Sequence, residues 1–243
     1  MRFILASTFL ISFQRPLYAR SPIDFITENW PPYNYEEDNK IKGYSAEVIR
    51  LVMKELKTEA KIKIYPSNRA KQVLDNSKRS MFFSFIKTPQ RENKYKWIGP
   101  IGKQHIPFYK RKGSTLKIES IEDAKKVHSI CCRNSGLVYT ALKNLGFNNL
   151  DTSKNAINIY SKALMGRCDL AISDTPIGYS YWMDKLKQPH DNLEKTPVNV
   201  SDSDIYIVAT KDIPDSEIKV WQEALDKVLL SETFFKIKEK YEQ

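Results

Sequence analysis

Two arginines, an aspartate and a cluster of aromatic rings carry most of the chemistry this sequence offers. Arg91 ends the run TPQR (88–91), Arg133 opens RNSG (133–136), and Asp174 follows CDLAIS (168–173). A guanidinium is a planar fork matched to a carboxylate, and an aspartate accepts from an ammonium. A helix starting at Ser135 would add unpaired backbone N–H groups and the positive end of its dipole. The stretch ENWPPYNY (28–35) places Trp30 and Tyr33 on a loop stiffened by two prolines, where rings give stacking area and a cation–π face at small entropic cost. Together these groups describe a site for a zwitterion such as an α-amino acid.

The elements that must hold them follow from periodicity. A strand is expected over 23–27, then a helix capped by Ser45 in which Val48, Val52 and Leu56 recur every four residues. Residues 61–65 alternate polar and apolar, Ser67 begins a short helix, and 81–85 is a third strand. The rhythm restarts with a helical turn at 121–124 and a strand at 127–132. A helix capped by Ser135 follows and ends at Gly146; a further helix covers 155–165, and 168–173 is a strand. Two β-α units therefore stand in series, as in a parallel sheet covered by helices. The segment 99–113, with Pro100, Pro107 and two strand-like pieces, reads as a crossing between them; 204–209 reads as a second, and helices over 216–228 and 233–241 return to the first unit.

Ligands of open parallel sheets bind beyond the carboxyl ends of the strands. That rule collects Trp30 and Tyr33 after the first strand, Arg69 after the second, Thr88 and Arg91 after the third, and Arg133, Ser135 and Asp174 in the second unit. All fall on one edge.

The chain has 243 residues, enough for one large domain or two lobes, and a formal charge of +10. Lysines are dispersed among acids, a solvated surface rather than a nucleic-acid stripe. The three histidines, His105, His128 and His190, stand apart from one another and the cysteines lack metal spacing, so neither a metal nor a cofactor is expected. Cys168 can bridge to Cys131 or to Cys132, leaving one thiol over. Met1-Arg2 followed by an apolar run over 3–13 and a small residue at Ala19 reads as an export leader of residues 1–19, too short to span a bilayer.

Four stretches, TENWPPY (27–33), GYSAE (43–47), TPQR with WIGP (88–91, 97–100) and GRCDLAISD (166–174), resemble the family 3 extracellular solute-binding proteins, the amino-acid-type periplasmic receptors of ABC importers. The resemblance implies an α/β type II periplasmic-binding-protein fold: two α/β lobes joined by two crossing strands around a central cleft, with lobe 1 formed by 20–105 and 206–243 and lobe 2 by 106–205. It implies a non-enzymatic, monomeric, periplasmic protein that closes on a small solute and delivers it to a membrane permease. Arg91 would grip the ligand carboxylate with Ser84 and Thr88 beside it, Asp174 would take the ammonium, and Ser135 would donate from the helix start. Trp30 and Tyr33 would cover the side chain. Ile86 and KRS (78–80) depart from the family pattern. The same lobes also suit a sensor subunit for a membrane receptor or, less closely, an exported dehydratase.

Overall fold

The structure is a computed structural model that describes residues 22–242; the expected leader lies outside them. Three parallel strands open the chain: β1 (Asp24–Glu28), β4 (Ile62–Tyr65) and β5 (Ser80–Ile86), with β1 in the middle. A hairpin of β2 (Tyr35–Glu37) and β3 (Lys40–Lys42) follows β1. Helices α1 (Tyr44–Glu55), α2 (Ser67–Asn76) and the single turn α3 (Pro89–Glu92) complete this part.

The second unit is built in the same way. Its parallel strands are β7 (Ile130–Arg133), β8 (Leu150–Ser153) and β9 (Leu170–Ala171), and its helices are α4 (Ile121–Lys126), α5 (Leu137–Asn144), α6 (Ala156–Leu164) and α7 (Pro176–Lys185). Two long antiparallel strands, β6 (Lys96–Arg111) and β10 (Leu193–Ala209), run through both units, and α8 (Asp215–Leu229) and α9 (Glu232–Glu242) pack back on the first. The ladder order is β4-β1-β5-β10-β6-β9-β7-β8. The crossings are thus longer and less broken than their sequence suggests: prolines 100 and 107 sit inside β6, where irregular register with β10 tolerates a missing donor.

Each unit has its own core. Phe25, Phe83, Ile98, Ile207 and Trp221 are buried together on one side of the first sheet region, with Ile26, Leu74 and Phe82 on the other. Phe108, Phe147 and Ile172 form one core of the second, and Tyr109, Tyr160 and Met183 the other. Burying each such side chain contributes roughly 1.5–3 kcal/mol.

Several local expectations are corrected. Gly136, at φ 89°, caps α5, and the exposed Ser135 makes no capping bond. Gly43 caps α1, where Ser45 is buried inside the first turn. A Cβ at Gly43 would collide with the Pro32 and Tyr33 carbonyls, so only glycine lets the aromatic loop lie against the helix start. Thr175 caps α7, its Oγ1 accepting from Gly178 N.

The cysteine alternative resolves by strand geometry. Neighbours on β7 point to opposite faces, placing Cys131 in the Tyr109–Tyr160 core beside Cys168 and Cys132 in the Phe108–Phe147 core. Cys131 and Cys168 are bonded, and burial pushes the free Cys132 thiol up to about 11.

Candidate functional site

Arg91 sits on the single turn that follows β5. Thr88 O accepts from the backbone N–H groups of Arg91 and Glu92 and so starts this turn; the Thr88 side chain makes no capping bond. The guanidinium lies 4.3 Å over the Phe85 ring, and Nη1 donates to Ile86 O at 3.1 Å. Trp97 Nε1 donates to Glu92 O at 2.9 Å, tying the turn to β6. Phe85 is in turn packed against Tyr95 and Trp97. Partial burial lowers the Arg91 pKa, opposed by the charge of Glu28. A guanidinium held by both a ring and a carbonyl is pre-ordered for recognition.

Glu28, at the carboxyl end of β1, is the group sequence reasoning missed. Burial raises its pKa, while a hydrogen bond from Ser67 and the charges of Arg91 and Arg133 work in the opposite direction. Its carboxyl thus feels an arginine from each lobe. The strand-end rule that selected Trp30 also covers Glu28, so the signal was present.

Across the cleft, Asp174 is 1% exposed. Its Oδ1 lies 3.7 Å from Arg133 Nη2, and Arg133 Nε donates to Ser173 Oγ at 3.1 Å. Asp174 Oδ2 is buried without a hydrogen-bond partner. Such an oxygen costs about 1–3 kcal/mol or more when left so, and an incoming ammonium would satisfy it.

The aromatic loop is fastened from below. Trp30 and Tyr33 are stacked at 4.4 Å, and Trp30 and Asn34 form a short bridge. Asn34 Nδ2 donates to Glu28 O, and Ser84 Oγ donates to Asn34 Oδ1. Ser84 has φ 63°, a conformation costing a side-chain-bearing residue about 1–3 kcal/mol. Its bond to Asn34 and the adjacent register shift of β10 accompany that strain. The Ser84 hydroxyl is therefore committed to the loop.

Tyr33 is 3% exposed, and its hydroxyl donates to Thr175 Oγ1 at 3.2 Å, a buried bond between lobes. Two further contacts join the lobes outside the cleft. Tyr35 and Tyr181 rings lie 5.4 Å apart, and Lys185 Nζ is 3.1 Å from Glu37. The structure thus brings the charges of Arg91 and Arg133 to Glu28, sets Asp174 beside Arg133, and places the Trp30–Tyr33 stack on the loop that follows Glu28. Two other predicted residues are exposed: Arg69 lies over the Tyr65 ring at 5.5 Å, and Ser135 lies beside Asn134.

The model of the bacterial extracellular solute-binding proteins, family 3, matches residues 24–243. No curated protein sequence matches the chain. Among solved structures, a histidine kinase sensor domain with similarity to periplasmic binding proteins superposes with TM-score 0.77 at 14% identity, over 91% of this chain and 96% of that one. The GluR0 ligand-binding core from Nostoc punctiforme, in complex with L-glutamate, gives 0.74 at 17% identity over 90% and 99%. The arginine-, lysine-, histidine-binding protein ArtJ from Geobacillus stearothermophilus gives 0.71 at 18% identity over 90% and 95%. At such identities the likeness establishes a shared type II periplasmic-binding fold.

Proposed function

Because the chain belongs to the bacterial extracellular solute-binding proteins of family 3, we propose that it captures an α-amino acid or closely related zwitterion between its lobes. In this reading it works in the periplasm as a monomer, after removal of residues 1–19, and delivers the solute to the permease of an ABC importer. Lobe 1 comprises 20–105 and 206–243, and lobe 2 comprises 106–205. Arg91 takes the carboxylate and Asp174 the ammonium, while Trp30 covers the side chain. Thr88 supports the Arg91 turn, Ser84 and Tyr33 hold the loop, and Arg133 orients Asp174.

The observation that carries the reading is the Asp174 carboxylate: buried, with one oxygen unpartnered, and 3.7 Å from Arg133, whose charge reaches Glu28 together with that of the braced Arg91. Closing two lobes on a zwitterion excludes water and strengthens both charge contacts. The Glu37–Lys185 pair and the Tyr33–Thr175 bond add to closure from outside the cleft.

A thermal-shift screen of amino acids, polyamines and small organic acids tests this. A ligand at 100 times its Kd stabilises by about 2.7 kcal/mol, which for a chain of this size is a rise of about 5–10 °C. The proposal fails if amino acids leave the transition unmoved while another class raises it. The likeness to a histidine kinase sensor domain favours one second reading, a ligand-sensing subunit that reports to a membrane receptor. A carboxyl held above its ordinary range is also what a general acid requires, so Glu28 is the group an enzymatic reading would use. Absence of turnover of small carboxylic acids by the purified protein is the expected outcome.

A further inference from the structure

The core of lobe 2 that holds Cys131 and Cys168 also holds three tyrosines. Tyr109 on β6 and Tyr179 on α7 are stacked at 4.1 Å, and Tyr160 on α6 meets their rings edge-on at 6.3 and 5.4 Å. All three rings are buried, yet their hydroxyls differ. Tyr179 Oη is set against the carbonyls of His190 at 2.5 Å and Leu193 at 3.3 Å, an ordinary structural use. The hydroxyls of Tyr109 and Tyr160 are buried with no hydrogen-bond partner. A phenylalanine would fill either place with the same ring and no orphaned oxygen, so packing alone does not account for them.

Both orphaned hydroxyls are tied electrically to one group. The charge of Asp174 acts on Tyr109 and on Tyr160, whereas Tyr179 feels Asp191 instead. The Asp174 backbone also approaches the Tyr160 hydroxyl without completing a hydrogen bond. The Asp174 side chain is pressed on the first turn of α7, where a Cβ added to Gly178 would fall 2.7 Å from Asp174 Cβ. Burial first, with the charge of Asp174 adding to it, pushes both phenols up, so each keeps its proton. A retained hydroxyl proton rotates to suit the field around it, and here that field is set by a carboxylate.

We infer that Tyr109 and Tyr160 are positioning residues of the solute site: two unpaired hydroxyl dipoles stabilise the Asp174 carboxylate from inside lobe 2 and keep it ready for an ammonium. This rests on the assignment of Asp174 to the ammonium of the solute. Both tyrosines are too buried to touch the solute and act only through Asp174. In a dry core a dipole facing a charge counts for more than it would in water. A full hydrogen bond from either tyrosine would compete with the ligand, whereas a dipole at longer range leaves Oδ2 open to accept.

A double-mutant cycle on the full mature chain tests the inference. Tyr109→Phe and Tyr160→Phe keep the rings and remove only the hydroxyls. Each is expected to move the melting temperature of the ligand-free protein downward by at least about 2 °C more with Asp174 present than in the Asp174→Asn background. Tyr179→Phe, whose bonds do not involve Asp174, should cost the same in both. The tyrosine variants are read separately, so a failure of one to fold, seen by circular dichroism, leaves the other to decide. In calorimetric titrations, Tyr160→Phe should weaken the amino acid selected by the thermal-shift screen at least about threefold and leave its analogue lacking the amine unchanged. Equal melting shifts in the two backgrounds overturn the inference, and so does equal weakening of both ligands. If Asp174→Asn itself fails to separate the two ligands, the solute reading is what fails, and the melting cycle still decides whether the hydroxyls stabilise the carboxylate.

Discussion

The two walls of the cleft hold their charges in opposite ways. In lobe 1, Arg91 is braced over Phe85, already hydrogen-bonded to Ile86 O, and accompanied by a carboxyl, Glu28, that has a hydroxyl and two cations for company. In lobe 2, Asp174 is almost fully buried, its nearest cation is 3.7 Å away, and one oxygen has no partner. One wall is satisfied before ligand arrives; the other is left wanting a donor. A charge that is unsatisfied in the empty site gains most from the ligand, whereas a pre-paired charge mainly fixes orientation. Removing either should therefore weaken binding, with different consequences for the empty protein.

The largest effect is expected for Arg91→Ala. Loss of a desolvated charge pair weakens solute binding by about 2–5 kcal/mol, 30-fold to several thousandfold, while the melting transition of the ligand-free protein stays nearly unchanged because this side chain is partly exposed. A large loss of stability in that form would make Arg91 structural. Asp174→Asn keeps the shape but removes the charge, and solute affinity should fall by about 1.5–3 kcal/mol. Here the ligand-free protein should melt about 2 °C higher, because a poorly compensated buried charge is gone; a lower transition would show that the pair with Arg133 matters more than the orphaned oxygen.

Glu28 sharpens the contrast through pH. Its folded-state pKa is raised above the unfolded value, so its protonation-linked stabilisation is fully present below about 4.5 and is lost as pH rises through the folded pKa. Relative to Glu28→Gln, wild-type ligand-free protein should gain stability on acidification from pH 7 through that window. Urea titrations of both proteins at several pH values measure this, and parallel profiles would rule it out. The smallest effect belongs to the exterior contacts. Lys185→Ala removes an exposed pair with Glu37 and should weaken solute binding by no more than about threefold.

Much of this was legible in the sequence, for reasons that differ by residue. The alternation of β1, β4 and β5 with α1 and α2, and its repeat from β7 to β9, follows directly from apolar spacing. Arg91, Arg133 and Asp174 were singled out because each lies at or just past a strand end. Glu28 lies at the same edge but was passed over within a motif whose rings draw attention. Ser84 and Tyr33 were assigned by position, whereas their actual partners, Asn34 and Thr175, are set by a left-handed backbone residue and by contact between lobes. Neither leaves a trace in periodicity. Ser135 was misread as a cap because serine suits that role, yet Gly136 reaches the φ of 89° that the turn requires.

The most direct measurement pairs these walls with the two ends of a ligand. An amino acid found by the thermal screen, its carboxamide and its analogue lacking the amine are titrated calorimetrically into wild type, Arg91→Ala and Asp174→Asn. The account predicts that Arg91→Ala no longer distinguishes acid from amide, and that Asp174→Asn no longer distinguishes the amino acid from the amine-free analogue. Equal loss of affinity for all three ligands in both variants, or undiminished discrimination in either, would contradict it.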